Sequence, residues 1–412
     1  MRGRLCRRLP AFGGIGALAI ALAACGSTPS TDAFPVPAGL PAAQALPGSG
    51  GTWATLAMGH YDDPLNTFGE VFYRSGCAGA SSCSGGFHWT LATPPGVASN
   101  GGIMVAANPD GGLTTGFGVS LDLRFSPLAE TADAGSVWTG GILPVALAAV
   151  PDALAASGAT QRLALAAPAP VANGGVLVST NDLSTWTRLA GRGAIIPAAS
   201  AAGCVLGSLS AVAITTQGDD LVAGDCTGGG RAGIFRVGKS GRPVTVSAIG
   251  PPVPSADGAE VRVVRLIAIG GVLSALLRQG TGSRSWLELA TSTDSGATWT
   301  VSPSVATSRP VLATGVTATG GFVVLLGGAG RGGGRGQAAV VEPGLPWSVL
   351  ATPPAGAAVI SYGTGDGAIE ALVPSDSVLD VDRLGAGGWH RVQELQVPLQ
   401  FGSTSAGGGS TG

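Results

Sequence analysis

Ser292-Thr293-Asp294-Ser295-Gly296-Ala297-Thr298-Trp299 decides the fold, because it recurs along the chain. Thr131-Ala132-Asp133-Ala134-Gly135-Ser136-Val137-Trp138 keeps Asp five and Gly three residues ahead of the Trp. Ser179-Thr180-Asn181-Asp182-Leu183-Ser184-Thr185-Trp186 carries Asn181 and Leu183 at those two places. Fainter copies end at Trp89, Val244, Trp347 and Trp389, so the register ends seven times, 42 to 58 residues apart. A period of that length fits one four-stranded sheet of a radial array. The physics of the stretch is that of a turn. A short Asp accepts bonds from backbone N–H groups and Gly takes the left-handed conformation. The Trp then lands on the next strand and packs between neighbouring sheets, burying about 150–250 Å².

Composition supports strands and turns. The 70 Gly and 28 Pro among 412 residues are together about twice ordinary usage. Both destabilise helices, which excludes an extended helical protein. Charged residues make up 11% against about 25% in an average domain. With a net charge of −2, a basic nucleic-acid-binding surface and a charge-driven disordered chain are also excluded. Short β-type runs such as Gly175-Val176-Leu177-Val178 and Gly321-Phe322-Val323-Val324-Leu325-Leu326 alternate with turns such as Pro109-Asp110-Gly111-Gly112. The best helical stretch is the Ala-rich segment 150–156.

The octapeptide resembles the Asp-box, Ser-x-Asp-x-Gly-x-Thr-Trp, of sialidase-like β-propellers. That resemblance implies an all-β propeller over residues 53–402. Seven blades are expected, with six if the ending at Trp389 marks no sheet of its own. It places the boxes on the outer rim, between the last two strands of each blade and far from the central channel. Asp133, Gly135, Trp138, Asn181, Trp186, Asp294, Gly296 and Trp299 are therefore expected to be structural. Residues 397–401 are expected to close the ring as a fourth strand of the first blade. Sialidases also need an arginine triad, a Tyr–Glu nucleophile pair and an Asp acid/base. Their first Arg lies in a Phe/Tyr-Arg-Ile-Pro stretch, from which Tyr73-Arg74-Ser75-Gly76 departs at the last two places. Tyr61, Tyr73 and Tyr362 are the only tyrosines, and nothing nominates one as a nucleophile. No catalytic residue is assigned.

The N-terminus carries an address. Arg2, Arg4, Arg7 and Arg8 precede an apolar stretch of 14 residues, 11–24, shorter than the ~20 that span a bilayer. This is the layout of a secretory signal. It ends in Leu22-Ala23-Ala24-Cys25, which resembles the lipobox of bacterial lipoproteins. The resemblance implies cleavage before Cys25 and a diacylglycerol on its thiol. The expected organisation is a signal peptide at 1–24, a lipidated flexible tether at 25–52, the propeller, and a disordered tail at 403–412. The expected location is the extracytoplasmic face of the cell membrane, by either the general or the twin-arginine route. Cleavage takes away four of 22 bases and leaves 24 acids, a net charge of −6. Anionic headgroups do not attract such a chain, so the lipid must supply the attachment. Cys77, Cys83, Cys204 and Cys226 then remain in an oxidising compartment. Four cysteines admit three pairings, of which 77–83 and 204–226 are favoured.

Other motifs are turn chemistry. Gly233-Ile234-Phe235-Arg236-Val237-Gly238-Lys239-Ser240 matches the phosphate-loop pattern, but its middle reads as a strand and no helix follows. Gly328-Ala329-Gly330-Arg331-Gly332-Gly333 is likewise followed by a strand rather than a helix. No nucleotide, metal or cofactor is expected. A polar set in the least repeat-like segments is the candidate ligand face: His60, Tyr61, Asp62, Asp63, Asn66, Arg262, Arg265, Tyr362, Asp366 and Glu370. The expected role is non-catalytic binding of an envelope protein or glycan, with sialidase-like glycoside hydrolysis as the alternative.

Overall fold

Each aliphatic run pairs antiparallel with the next along the chain, as short strands joined by tight Gly turns must. The computed structural model describes residues 42–401 apart from 47–50, 61–65, 76–86, 97–102, 109, 119–124, 145–152, 158–160, 167–175, 181, 228–229, 239–243, 254–259, 282–283, 328–335 and 365. Among the described residues the strands form seven successive four-stranded antiparallel units. Their innermost strands are Ala42–Ala45, Ile103–Ala107, Ala153–Ser157, Val205–Ile214, Val261–Ile269, Val311–Val316 and Val359–Tyr362. The fold is an all-β propeller. Apolar clusters join each sheet to the next, and one containing Ala54, Phe72, Val359 and Leu372 joins the seventh sheet back to the first.

The recurring Trp register explains this packing. The outermost strands are Trp89–Leu91, Thr139–Leu143, Thr187–Gly191, Val246–Ala248, Thr300–Val301, Ser348–Val349 and Gly388–Gln396. Each begins within two residues of one of the seven register endings. Trp138, Trp186, Trp299, Trp347 and Trp389 each pack into the cluster between their own sheet and the preceding one. Trp89 does the same between the first sheet and the seventh. Three indoles also bond to the preceding sheet. Trp186 Nε1 donates to Ile142 O at 2.7 Å, Trp299 Nε1 to Ile249 O at 2.6 Å, and Trp389 Nε1 to Ala351 O at 3.1 Å.

The turn ahead of Trp299 closes on its aspartate. Asp294 Oδ1 accepts from Thr298 N and from Ser292 Oγ, both at 2.8 Å. Gly296 sits at φ 89°, where a side chain would be strained. Asp133 accepts in the same way from Val137 N at 2.9 Å. In the third copy the anchoring residue is Asp182, which accepts from Thr185 N at 2.8 Å and Ser184 N at 3.0 Å. The role expected of Asn181 thus belongs to its neighbour, because this turn is one residue shorter; Asn181 lies outside the described residues.

Three expectations are corrected. The sheets begin at Ala42, inside the expected tether: Ala42–Ala45 pairs antiparallel with Thr52–Gly59 and parallel with Val311–Val316. It therefore occupies the inner edge of the first sheet. Residues 397–401 form no strand. Pro398 has no N–H to give a ladder, and instead Val397 N donates to Ser377 O at 2.7 Å while the Phe401 ring lies 5.0 Å from that of His60. Within the segment read as helical, Ala153–Ser157 is an inner strand. Tertiary pairing overrides the propensity of Ala there. The helix of the described residues is Arg192–Ala201, between the third and fourth sheets. The phosphate-loop look-alike is a strand over Gly233–Val237. Residues 1–41, with Cys25, the Cys77–Cys83 pair and the tail lie outside the described residues.

The parallel pairing has a further effect. It joins the sixth and first sheets directly across the inner edge of the seventh, whose own first strand has only four residues. Gly315 permits this, since a Cβ there would lie 2.3 Å from Ile360 O.

Two predictions follow from the rim and the sheets. Exposed aspartate titrates near 3.8, and the bonds from Thr298 hold Asp294 at about 2. A depressed carboxylate stabilises the fold above its unfolded pKa and loses that contribution as pH falls through the folded one. Asp294→Asn is expected to melt below wild type at about pH 5, with the gap narrowing from about pH 4 to 2, measured by circular dichroism. The disulfide Cys204–Cys226 closes a loop of 22 residues between paired strands. Replacing both cysteines by Ala is expected to cost about 3 kcal/mol in urea unfolding.

Candidate functional site: the central channel

The seven described residues of the candidate face do not gather on one surface. His60 is exposed at the turn after Thr52–Gly59, 3.7 Å from Asp376 Oδ1. Asn66 is buried beside it, and Tyr61, Asp62 and Asp63 lie outside the described residues. Tyr362 ends the inner strand of the seventh sheet, half-buried. Its phenol is pushed up by burial and then by the charges of Glu342 and Asp366. Arg262 is exposed and pairs with Asp225 at 3.6 Å. Only Arg265 enters the channel lining as an unpaired charge.

Asp366 and Glu370 belong to a seam instead. Arg74, fully buried at the end of Thr67–Arg74, reaches from the first sheet to the seventh. Its Nη2 lies 2.8 Å from Asp366 Oδ2 and its Nε 2.9 Å from Glu370 Oε2. Glu370 also accepts from Arg383 Nη2 at 2.7 Å and from Trp89 Nε1 at 2.8 Å. The Phe87 ring covers the Arg74 guanidinium, 4.3 Å from Cζ. Arg74 is thus spent on joining the first sheet to the seventh. Sequence reasoning missed Arg383, Trp89 and this use of Arg74.

The channel is lined by six inner strands. A cavity of about 160 Å³ has walls from Ala42–Ala45, Ile103–Ala107, Ala153–Ser157, Val205–Ile214, Val261–Ile269 and Val311–Val316. The seventh inner strand stands behind the parallel pair described above and contributes no wall residue. Most of the surface is aliphatic: Ala155, Ala156, Met104, Val264 and Ile214 are among the walls, with Gln44, Ser210, Thr314, Arg262 and Arg265 as the polar groups. Such a concave, largely apolar space with a few placed polar groups is the usual form of a small-ligand site.

A β-bulge aims Arg265 into this space. Val263 pairs with Leu277 and Arg265 with Leu276, so Val264 is the extra residue. Val261 and Val263 face the fourth sheet. The insertion resets the alternation, after which Ile267 and Ile269 face the sixth. Arg265 is left with no place in either core, as bulges often arrange for functional side chains. Its Nη1 donates to Thr314 Oγ1 at 2.8 Å. Burial lowers its pKa to about 10, so the guanidinium stays charged at neutral pH.

No protein family and no curated protein matches the sequence. Solved structures do share the fold. A protein from Lactobacillus plantarum is 9% identical, with 85% of this chain and 97% of that one covered and a TM-score of 0.50. The six-bladed fucose-binding lectin of Aleuria aurantia is 13% identical over 77% of this chain and 96% of that one, with a TM-score of 0.44. A prolyl endopeptidase is 12% identical over 89% of this chain, which spans 52% of the enzyme, with a TM-score of 0.42. Likeness at this distance speaks for the architecture and leaves function to the site.

Removing one partner from a buried ion pair costs about 3–5 kcal/mol. Glu370→Leu and Arg74→Leu are each expected to lose that much in urea unfolding. The double variant should lose clearly less than their sum, since it leaves neither charge facing an empty place.

Proposed function

We propose that this chain is a seven-bladed, lipid-anchored propeller that binds a ligand in its central channel, at the outer face of the cell membrane and without catalysis. The observation that carries the binding part is the channel itself: largely aliphatic walls around Arg265, the lining guanidinium that no carboxylate pairs and that follows a bulge. The carboxylates that a glycosidase reading would enlist at the seventh sheet, Asp366 and Glu370, are engaged by Arg74 and Arg383. The anchor rests on the resemblance of Leu22-Ala23-Ala24-Cys25 to a lipobox. The seven blades rest on the coincidence of seven Trp-register endings with seven outermost strands. A protein or glycan partner at the envelope fits the address.

The test combines location, binding and turnover. Cys25→Ser is expected to move the protein from the membrane fraction to the soluble one and to abolish labelling by radioactive palmitate. Ala156→Phe and Ser210→Tyr fill the channel at half-buried wall positions. Each should reduce retention of the purified protein on isolated envelope fractions by about tenfold, or about 1.4 kcal/mol, with the melting temperature within a few degrees of wild type. Retention that both filled variants keep would remove the channel from the function. Turnover of any member of a fluorogenic glycoside panel by the wild-type protein would establish the hydrolase reading instead.

A further inference from the structure

Arg265 is an unusual residue for a propeller wall. It is half-buried at the channel wall, and among the described residues no carboxylate lies within ion-pair distance of it. The two described arginines that are buried outright have acidic partners: Arg74 has Asp366 and Glu370, and Arg162 has Glu130. Its bonded partner is Thr314, and the cavity it lines is otherwise made of neutral polar groups, Gln44 and Ser210, aliphatic walls such as Val264 and Ala155, and Arg262, which Asp225 pairs. Guanidinium is the side chain best matched to a planar anion, because its N–H groups form a fork that a carboxylate accepts in parallel. One nitrogen is occupied by Thr314, which fixes the plane of the group and leaves the rest of the fork for a ligand.

From this geometry we infer that the channel receives an aliphatic carboxylate, with the acid group on Arg265 and the hydrocarbon part against the Ala, Val and Met walls. The inference deepens the binding role proposed above and rests on the channel being the ligand site. Size agrees with the chemistry. A space of about 160 Å³ corresponds to about five water volumes, enough for a small acid or for the last residue of a peptide, whose terminus would enter the mouth. Both sources present the same group, and the experiment separates them. A sugar acid would instead need partners for a ring of hydroxyls, which aliphatic walls do not supply.

Titration calorimetry on the mature protein uses four probes: isobutyrate, N-acetyl-Ala-Ala, the C-terminal amide of that dipeptide, and glucuronate. Binding of isobutyrate and N-acetyl-Ala-Ala is expected, with the dipeptide at least tenfold tighter if a chain terminus is the natural ligand and isobutyrate equal or tighter if a free acid is. The amide should bind at least tenfold more weakly than the dipeptide acid. Arg265→Met should abolish binding of the acids, and Arg265→Lys, which keeps the charge without the fork, should weaken it about tenfold. The Arg265→Met variant should melt no lower than wild type, since it removes a half-buried charge that has no acidic partner. A large fall in its melting temperature would mark Arg265 as structural and overturn the inference. So would tight binding of the amide, a preference for glucuronate, or absence of heat with both aliphatic acids at about 5 mM. Should the acids fail while the filled channel still loses envelope retention, the ligand class is wrong and the binding role stands. Acid binding with retention indifferent to the channel would sink the envelope role and leave this site.

Discussion

A tryptophan wedged between one sheet and the next is the contact on which this ring depends. A four-stranded sheet has two apolar faces and no core of its own, so its stability comes from neighbours on both sides. The indole at the start of each outermost strand covers the gap that opens as radial sheets diverge toward the rim. In three places its N–H also finds a carbonyl of the preceding sheet. The Asp turns ahead of it fix where the indole lands: Asp294, Asp133 and Asp182 gather the backbone N–H groups that would otherwise leave that turn loose. Rim turn and inter-sheet wedge are thus one device, repeated with decay. At Val244 the aromatic is gone, and the partly buried Val246 and Ala248 pack against the third–fourth cluster instead.

The seam between the last sheet and the first is built differently. It retains an apolar cluster but adds a buried charge network of Arg74, Asp366, Glu370 and Arg383, in which both indole and guanidinium donors converge on Glu370. A hydrophobic surface would accept several registers of sliding between two sheets. A carboxylate that must satisfy several donors accepts one. Beside this seam, the parallel pair of Ala42–Ala45 with Val311–Val316 pulls the first and sixth sheets together on the inside. Among the described residues, seven sheets thus surround a channel with six walls.

The architecture was legible from the tryptophans because a side chain that must wedge between repeating sheets recurs at the repeat period. The Cys204–Cys226 pairing was legible because the two residues flank runs that pair as neighbours. The first strand was not, since Ala42-Ala43-Gln44-Ala45 has no β-type pattern; its strand conformation comes from the two partners it meets, one of them near residue 314. That the described members of the polar set lie apart was hidden for a related reason. A carboxylate such as Glu370 looks the same in sequence whether it faces solvent or an arginine 296 positions away. Arg265 was named, but its position in the channel follows from a bulge at Val264, and an extra residue in a strand leaves no mark until its partner is known.

The pairing of residues 42–44 with 314–316 has a consequence for how the molecule is made. About three quarters of the polypeptide must emerge before its earliest described strand can find its parallel neighbour, and contacts of such long sequence separation form slowly. Until then that strand is held by one partner alone, and the growing assembly presents an open edge of the kind that invites pairing with another chain. Synthesis and closure are in this way tied together. The protein becomes a finished toroid only once its final third exists.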